Sequence, residues 1–71
     1  MNRIREVLAQ KGIKIKWLSE QLGKSYPTMI TYTTNKRQPS LEDLYRIAKI
    51  LNVNVKDLLV DNIEAKKNEK R

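Results

Sequence analysis

Among its 71 residues the chain has no cysteine and no histidine. The first absence rules out disulfide staples and thiolate metal sites; the second removes the commonest zinc ligand and most general-base arrangements. There is no glycine-rich phosphate loop, and the acidic pair Glu42-Asp43 is better explained by a helix cap than by carboxylate chemistry. No enzymatic activity, cofactor or metal is therefore expected. No apolar run approaches the roughly 20 residues that span a bilayer, and the N-terminus MNRIREV lacks the apolar region of a signal peptide. These features predict a soluble, cytoplasmic protein. A chain of this length makes one domain with a modest core.

What is present in excess is positive charge: the formal net charge is +7 and the pI about 9.9. Such a balance suggests an anionic partner, nucleic acid first and a membrane surface second. The distribution sharpens this. Residues 11–37 hold Lys11, Lys14, Lys16, Lys24, Lys36 and Arg37 against Glu20 alone, a net +5. Residues 38–60 are balanced, with Arg46, Lys49 and Lys56 against Glu42, Asp43 and Asp57. Lysines serving only solubility would be scattered, whereas these gather where a phosphate-binding footprint would lie.

The same basic segment contains the most informative pattern, LSEQLGKSYPTMITYTTNKRQP over residues 18–39. Leu18 and Leu22 are four apart and share a helical face. Gly23 follows, where a helix end favours a residue free to take positive φ. Ser25 is placed to cap the next helix, and Pro27 falls in its first turn, where a missing N–H costs nothing. The spacing predicts helices over about 15–22 and 25–33. By propensity alone TMITYTT would also suit a strand; the Ser-x-Pro start and the helical pattern on both sides favour a helix. Met29 and part of Tyr32 should face inward, and Tyr26, Pro27, Thr28, Thr31 and Thr34 outward. That outer face is poor in charge and rich in hydroxyl and methyl groups, which suit base edges and the thymine methyl. Two helices joined by a short glycine turn form a helix-turn-helix, whose second helix enters the DNA major groove.

The flanking chain completes an all-α pattern. Ile4, Val7 and Leu8 predict a first helix from about Asn2 to Gln10, ended by Lys11-Gly12. Ile13 is expected to plug the core, and Trp17 to pack at its edge rather than stack on bases. Pro39 keeps Gln38 out of helical geometry, and Ser40 caps a fourth helix in a capping box with Asp43. Leu41, Leu44, Ala48 and Leu51 form its buried stripe, widened by Ile47 and Ile50. Asn52-Val53-Asn54 ends that helix, and Asn54 caps a short fifth one over about 55–59. The sequence beyond Asp61 is charged and nearly free of apolar anchors, so 61–71 is expected to be a flexible tail after a domain of residues 1–60. The alternative is a helical continuation of the fifth helix, since Glu, Ala and Lys are good helix formers.

From about Arg3 to Val60 the chain resembles the lambda-repressor/Cro-like helix-turn-helix family. The likeness is carried by Leu18-Ser19…Leu22-Gly23, by the third helix, by Lys36-Arg37-Gln38-Pro39-Ser40-Leu41-Glu42, and by Leu44…Ile47-Ala48…Leu51-Asn52-Val53…Val55…Asp57-Leu58-Leu59. The resemblance implies a five-helix DNA-binding domain. It places the base-reading positions on Tyr26, Pro27, Thr28 and Thr31. Its phosphate-clamping positions fall on Ile15, Lys16 and Trp17 at the start of the second helix, and on Thr34, Lys36 and Arg37; Lys14, Lys24 and Asn35 extend that set. Two departures stand out. Ile15 replaces a frequent glutamine that buttresses the recognition helix, and Thr33-Thr34-Asn35 replaces a frequent Glu-x-Gly, with Asn35 suited to positive φ.

One recognition helix reads only a few base pairs, and proteins of this kind are similar in dimerising on a pseudo-palindrome. The surplus apolar residues Val53, Val55, Leu58 and Val60, with Ile63 beyond them, are candidates for a homodimer interface; their other role would be to close the monomer core. The implied function is a sequence-specific transcriptional regulator of double-stranded DNA: a phage-type repressor, a restriction-modification controller or a mobile-element regulator. The alternative is an antitoxin or adaptor that uses this fold to bind a protein partner such as a toxin or polymerase.

Overall fold

The computed structural model describes residues 1–60. Helix α1 spans Ile4–Lys11, α2 Ile15–Leu22, α3 Tyr26–Thr33 and α4 Leu41–Leu51. Gly12 (φ 68°) and Gly23 (φ 73°) end α1 and α2 in the left-handed region. Asn52 ends α4 the same way at φ 58°, a conformation asparagine tolerates better than most residues. Ser25 and Ser40 cap α3 and α4: each hydroxyl oxygen accepts from the backbone N–H three residues on, Thr28 at 3.2 Å and Asp43 at 3.1 Å. The architecture is all-α.

The core is the sum of the stripes these helices turn inward. Ile4, Leu18, Leu22, Met29, Ile47 and Leu58 are its largest fully buried side chains. Helix α2 packs against both α3 and α4, while α1 rests on α3 and on the C-terminal turn. Ser19 is buried within α2, and its hydroxyl donates to the Lys16 carbonyl at 2.6 Å. The side chain thus adds little bulk beneath the crossing helix. Among the described residues no helix is long and apolar enough to cross a membrane.

Three expectations are corrected. First, α1 begins at Ile4, not Asn2, because Asn2 is extended and bridges antiparallel to Leu59. The Arg3 N–H donates to the Leu58 carbonyl at 2.7 Å in the same pairing. Second, the fifth element is a single 3-10 turn over Val55–Leu58 rather than an α-helix. Leu59 leaves it in extended geometry to meet Asn2, which stops the turn from propagating. Third, Leu41 is 67 % exposed: it continues the α4 stripe past the edge of the core, so apolar burial starts at Leu44. The expected tail, 61–71, and Ile63 within it lie outside the described residues.

Candidate nucleic-acid interface

Helix α3 follows α2 through Gly23, Lys24 and Ser25, and the Lys24 N–H donates to the Ser19 carbonyl at 3.0 Å to close the turn. Met29, Tyr32 and Thr33 hold α3 from below. That leaves Tyr26 half exposed, Pro27 exposed, and Thr28 and Thr31 partly covered. The four residues expected to read bases therefore share the uncovered side of one helix. Of their hydroxyls, that of Thr31 donates within the helix and that of Thr28 accepts. Thr31 donates to the Thr28 carbonyl at 2.6 Å and Thr34 to the Ile30 carbonyl at 2.7 Å, while Ser25 donates to Thr28 Oγ1 at 2.9 Å. What Thr31 offers outward is a methyl group and an oxygen lone pair.

The cations divide into two groups. Lys14 is the extended N-cap of α2, Lys16 and Trp17 are exposed on its first turn, and Ile15 is half-buried between them. Past the C-terminal end of α3, Lys36 and Arg37 are exposed in the loop before α4. Among the described residues none of these four cations takes part in an ion pair. Lys24 differs, because its Nζ lies 3.4 Å from Asp43 Oδ2.

Asp43 is the residue whose role sequence reasoning missed. It is buried, and its carboxylate does not turn back to close a capping box with Ser40. Instead Oδ2 accepts from the Tyr32 hydroxyl at 3.3 Å, and Oδ1 faces Arg46 Nη1 at 3.8 Å. Arg46 also donates to the Leu22 carbonyl at 3.2 Å, at the end of α2. One carboxylate thus ties the α2–α3 turn, α3 and α4 together. Its position in the first turn of α4 pointed only to a cap.

The loop carrying Lys36 and Arg37 is fixed by a second network. Asn35 takes φ 63°, as its residue type suggests, and the Arg37 N–H donates to the Thr31 carbonyl at 3.1 Å. Its side chain also meets the N-terminus: the Asn2 N–H donates to Asn35 Oδ1 at 2.7 Å. The expected dimer residues lie elsewhere. Val53, Val55 and Val60 are half-buried, but Leu58 is fully enclosed by its own chain and presents no surface to a partner.

Residues 3–64 match the model of the Cro/C1-type HTH DNA-binding domain family. An Archaeoglobus fulgidus protein described as an uncharacterized HTH-type transcriptional regulator is 33 % identical over 58 residues, which cover 82 % of this chain and 83 % of the relative. A crystal structure of a Bacteroides fragilis protein, provisionally described as DNA-binding, superposes with a TM-score of 0.80 at 46 % identity. It covers 82 % of this chain and 94 % of its own. The all-α fold and the matched span agree, and the chain belongs to the Cro/C1-type HTH DNA-binding domain family.

Proposed function

We propose that this protein is a sequence-specific, double-stranded DNA-binding transcriptional regulator in which α2 and α3 form the helix-turn-helix. The observation that carries the proposal is the uncharged outer side of α3, with Lys14 and Lys16 near its start and Lys36 and Arg37 past its end, none of them in an ion pair among the described residues. Set in the major groove, α3 brings Tyr26, Pro27, Thr28 and Thr31 to the base edges. The cations, the N-terminal backbone of α2 at Ile15, Trp17, Thr34 and Asn35 then meet the phosphates on either side. Lys24 contributes less, since Asp43 already neutralises it.

The reading includes a homodimer on an operator with two half-sites. A shallow groove lined by Tyr45, Lys49, Val53 and Val55 supports it, with Tyr45 57 % exposed. Residues 1–60 act as the DNA-binding domain and 61–71 as its appendage. Selection of bound sequences from a random duplex pool tests the whole reading. A regulator of this kind returns a symmetric motif with half-sites about one DNA turn apart. Recovery of no motif, with binding independent of salt, sinks it.

A further inference from the structure

Asn2 is 3 % exposed, and every hydrogen-bonding group it has is used. Its Oδ1 accepts from the Ile4 N–H at 3.1 Å at the start of α1. Its Nδ2 donates to the Tyr32 carbonyl at 2.9 Å and to Gln38 Oε1 at 3.0 Å. Its backbone exchanges two bonds with the Asn35 side chain: N–H to Oδ1 at 2.7 Å, and C=O from Nδ2 at 3.3 Å. Gln38 Nε2 closes the ring by donating to Asn35 Oδ1 at 3.1 Å. The two loop residues thus held, Asn35 and Gln38, stand immediately on either side of Lys36 and Arg37. Those two cations have no acidic partner among the described residues, so nothing but the backbone fixes their direction.

We propose that Asn2 is the positioning residue for the phosphate grip of the α3–α4 loop: the N-terminus, seated by its pairing with Leu59, aims Lys36 and Arg37 through Asn35 and Gln38. The inference rests on the DNA-binding reading above and deepens it. The network makes preorganisation its natural role. The Tyr32 carbonyl already accepts from the Asn35 N–H at 3.2 Å, so the Asn2 amide is not needed merely to satisfy a helix end. It adds the lateral tie to Gln38 that a bare left-handed turn lacks. An untied loop would have to be ordered on binding, and its cations would neutralise phosphate less completely.

The test uses the whole chain and duplex DNA, measuring affinity as a function of salt. Asn2→Ser keeps an oxygen for the Ile4 N–H but removes the amide nitrogen. It should weaken duplex binding on the order of tenfold at fixed salt and flatten the slope of log affinity against log salt by up to about two, the share of two phosphate contacts. Added to Lys36→Ala plus Arg37→Ala, it should cost under about twofold more, because both changes remove the same contacts. A purely structural role lowers thermal stability but leaves the slope of the folded protein unmoved, and that result overturns the proposal. So does a loss that adds in full to the Lys36/Arg37 variant. Should Asn2→Ser lower the folded fraction, Gln38→Ala, on the exposed side of the ring, carries the same expectation: a flattened slope supports the tie, an unmoved one refutes it. A wild-type chain without salt-dependent duplex binding overturns the DNA reading and this inference together; wild-type binding with unmoved variants overturns only this one.

Discussion

The Tyr32 hydroxyl donates to Asp43 Oδ2 at 3.3 Å, joining α3 to α4 in the interior. The same oxygen meets Lys24 Nζ at 3.4 Å, so the angle of α3 on its scaffold depends on one carboxylate. Asp43→Ala leaves the Tyr32 hydroxyl buried without an acceptor and should cost about 2–3 kcal/mol. Tyr32→Phe removes only the donor and should cost about 1 kcal/mol. Lys24→Ala, at a half-exposed pair, should cost well under about 1 kcal/mol. Urea unfolding of the three variants ranks them. A near-zero cost for Asp43→Ala would remove the carboxylate from its proposed place at the centre of the scaffold.

Gly23 offers a cleaner measurement of backbone strain. Its φ is 73°, and an added Cβ meets nothing within 4 Å. Gly23→Ala should therefore cost only the left-handed penalty, about 1–2 kcal/mol, with no steric component. Gly23→Asn should recover part of that loss, since asparagine already holds this conformation at positions 35 and 52. Equal destabilisation by alanine and asparagine would show that something other than φ governs the turn.

These two sites mark the boundary of what the sequence made legible. Gly23, Ser25 and Ser40, and Asn35 in its positive φ alone, act through their own backbone or the next three residues, so these roles follow from residue type and spacing. The buried pairs Leu18/Leu22 and Leu44/Ala48 follow equally from helical period. The Asn2 amide nitrogen and Asp43 do not, because the partners of that nitrogen lie 30–36 residues away and the Tyr32–Asp43 bond spans 11. A polar residue near a helix start reads as a cap from sequence alone. The fifth helix is cut to a 3-10 turn for the same reason: Leu59 is drawn out of it by pairing with Asn2, far away in sequence. Leu41 fits the stripe by period, yet period does not tell where the opposing surface ends.

Thr31 provides the specificity test. With its proton directed to the Thr28 carbonyl, it presents an acceptor and a methyl group. Thr31→Val keeps the methyl and deletes the oxygen; Thr31→Ala deletes both. If the residue reads a thymine methyl, valine should preserve the preferred base and alanine lose it. If it accepts from adenine or cytosine, both variants should relax the preference at that one position by about 1–3 kcal/mol. Competition binding on single-base operator variants decides between them. Unchanged preference in both variants would place α3 in another orientation on the duplex.

Two substitutions near the C-terminal turn separate folding from association. Leu58 is fully buried against the monomer's own helices, so Leu58→Asp puts a charge into the core. It should unfold the chain, at a cost of about 3 kcal/mol or more. Val55 and Tyr45 line the open groove beside α4, where charge is tolerated by a monomer but not by a packed interface. Val55→Lys and Tyr45→Glu should therefore leave the helical circular-dichroism signal intact while shifting sedimentation toward monomer. Because a dimer engages two half-sites at once, the same variants should lose far more affinity for the full operator than for a single half-site. Folded Val55→Lys protein that sediments and binds the full operator like wild type would move the dimer contact off this groove.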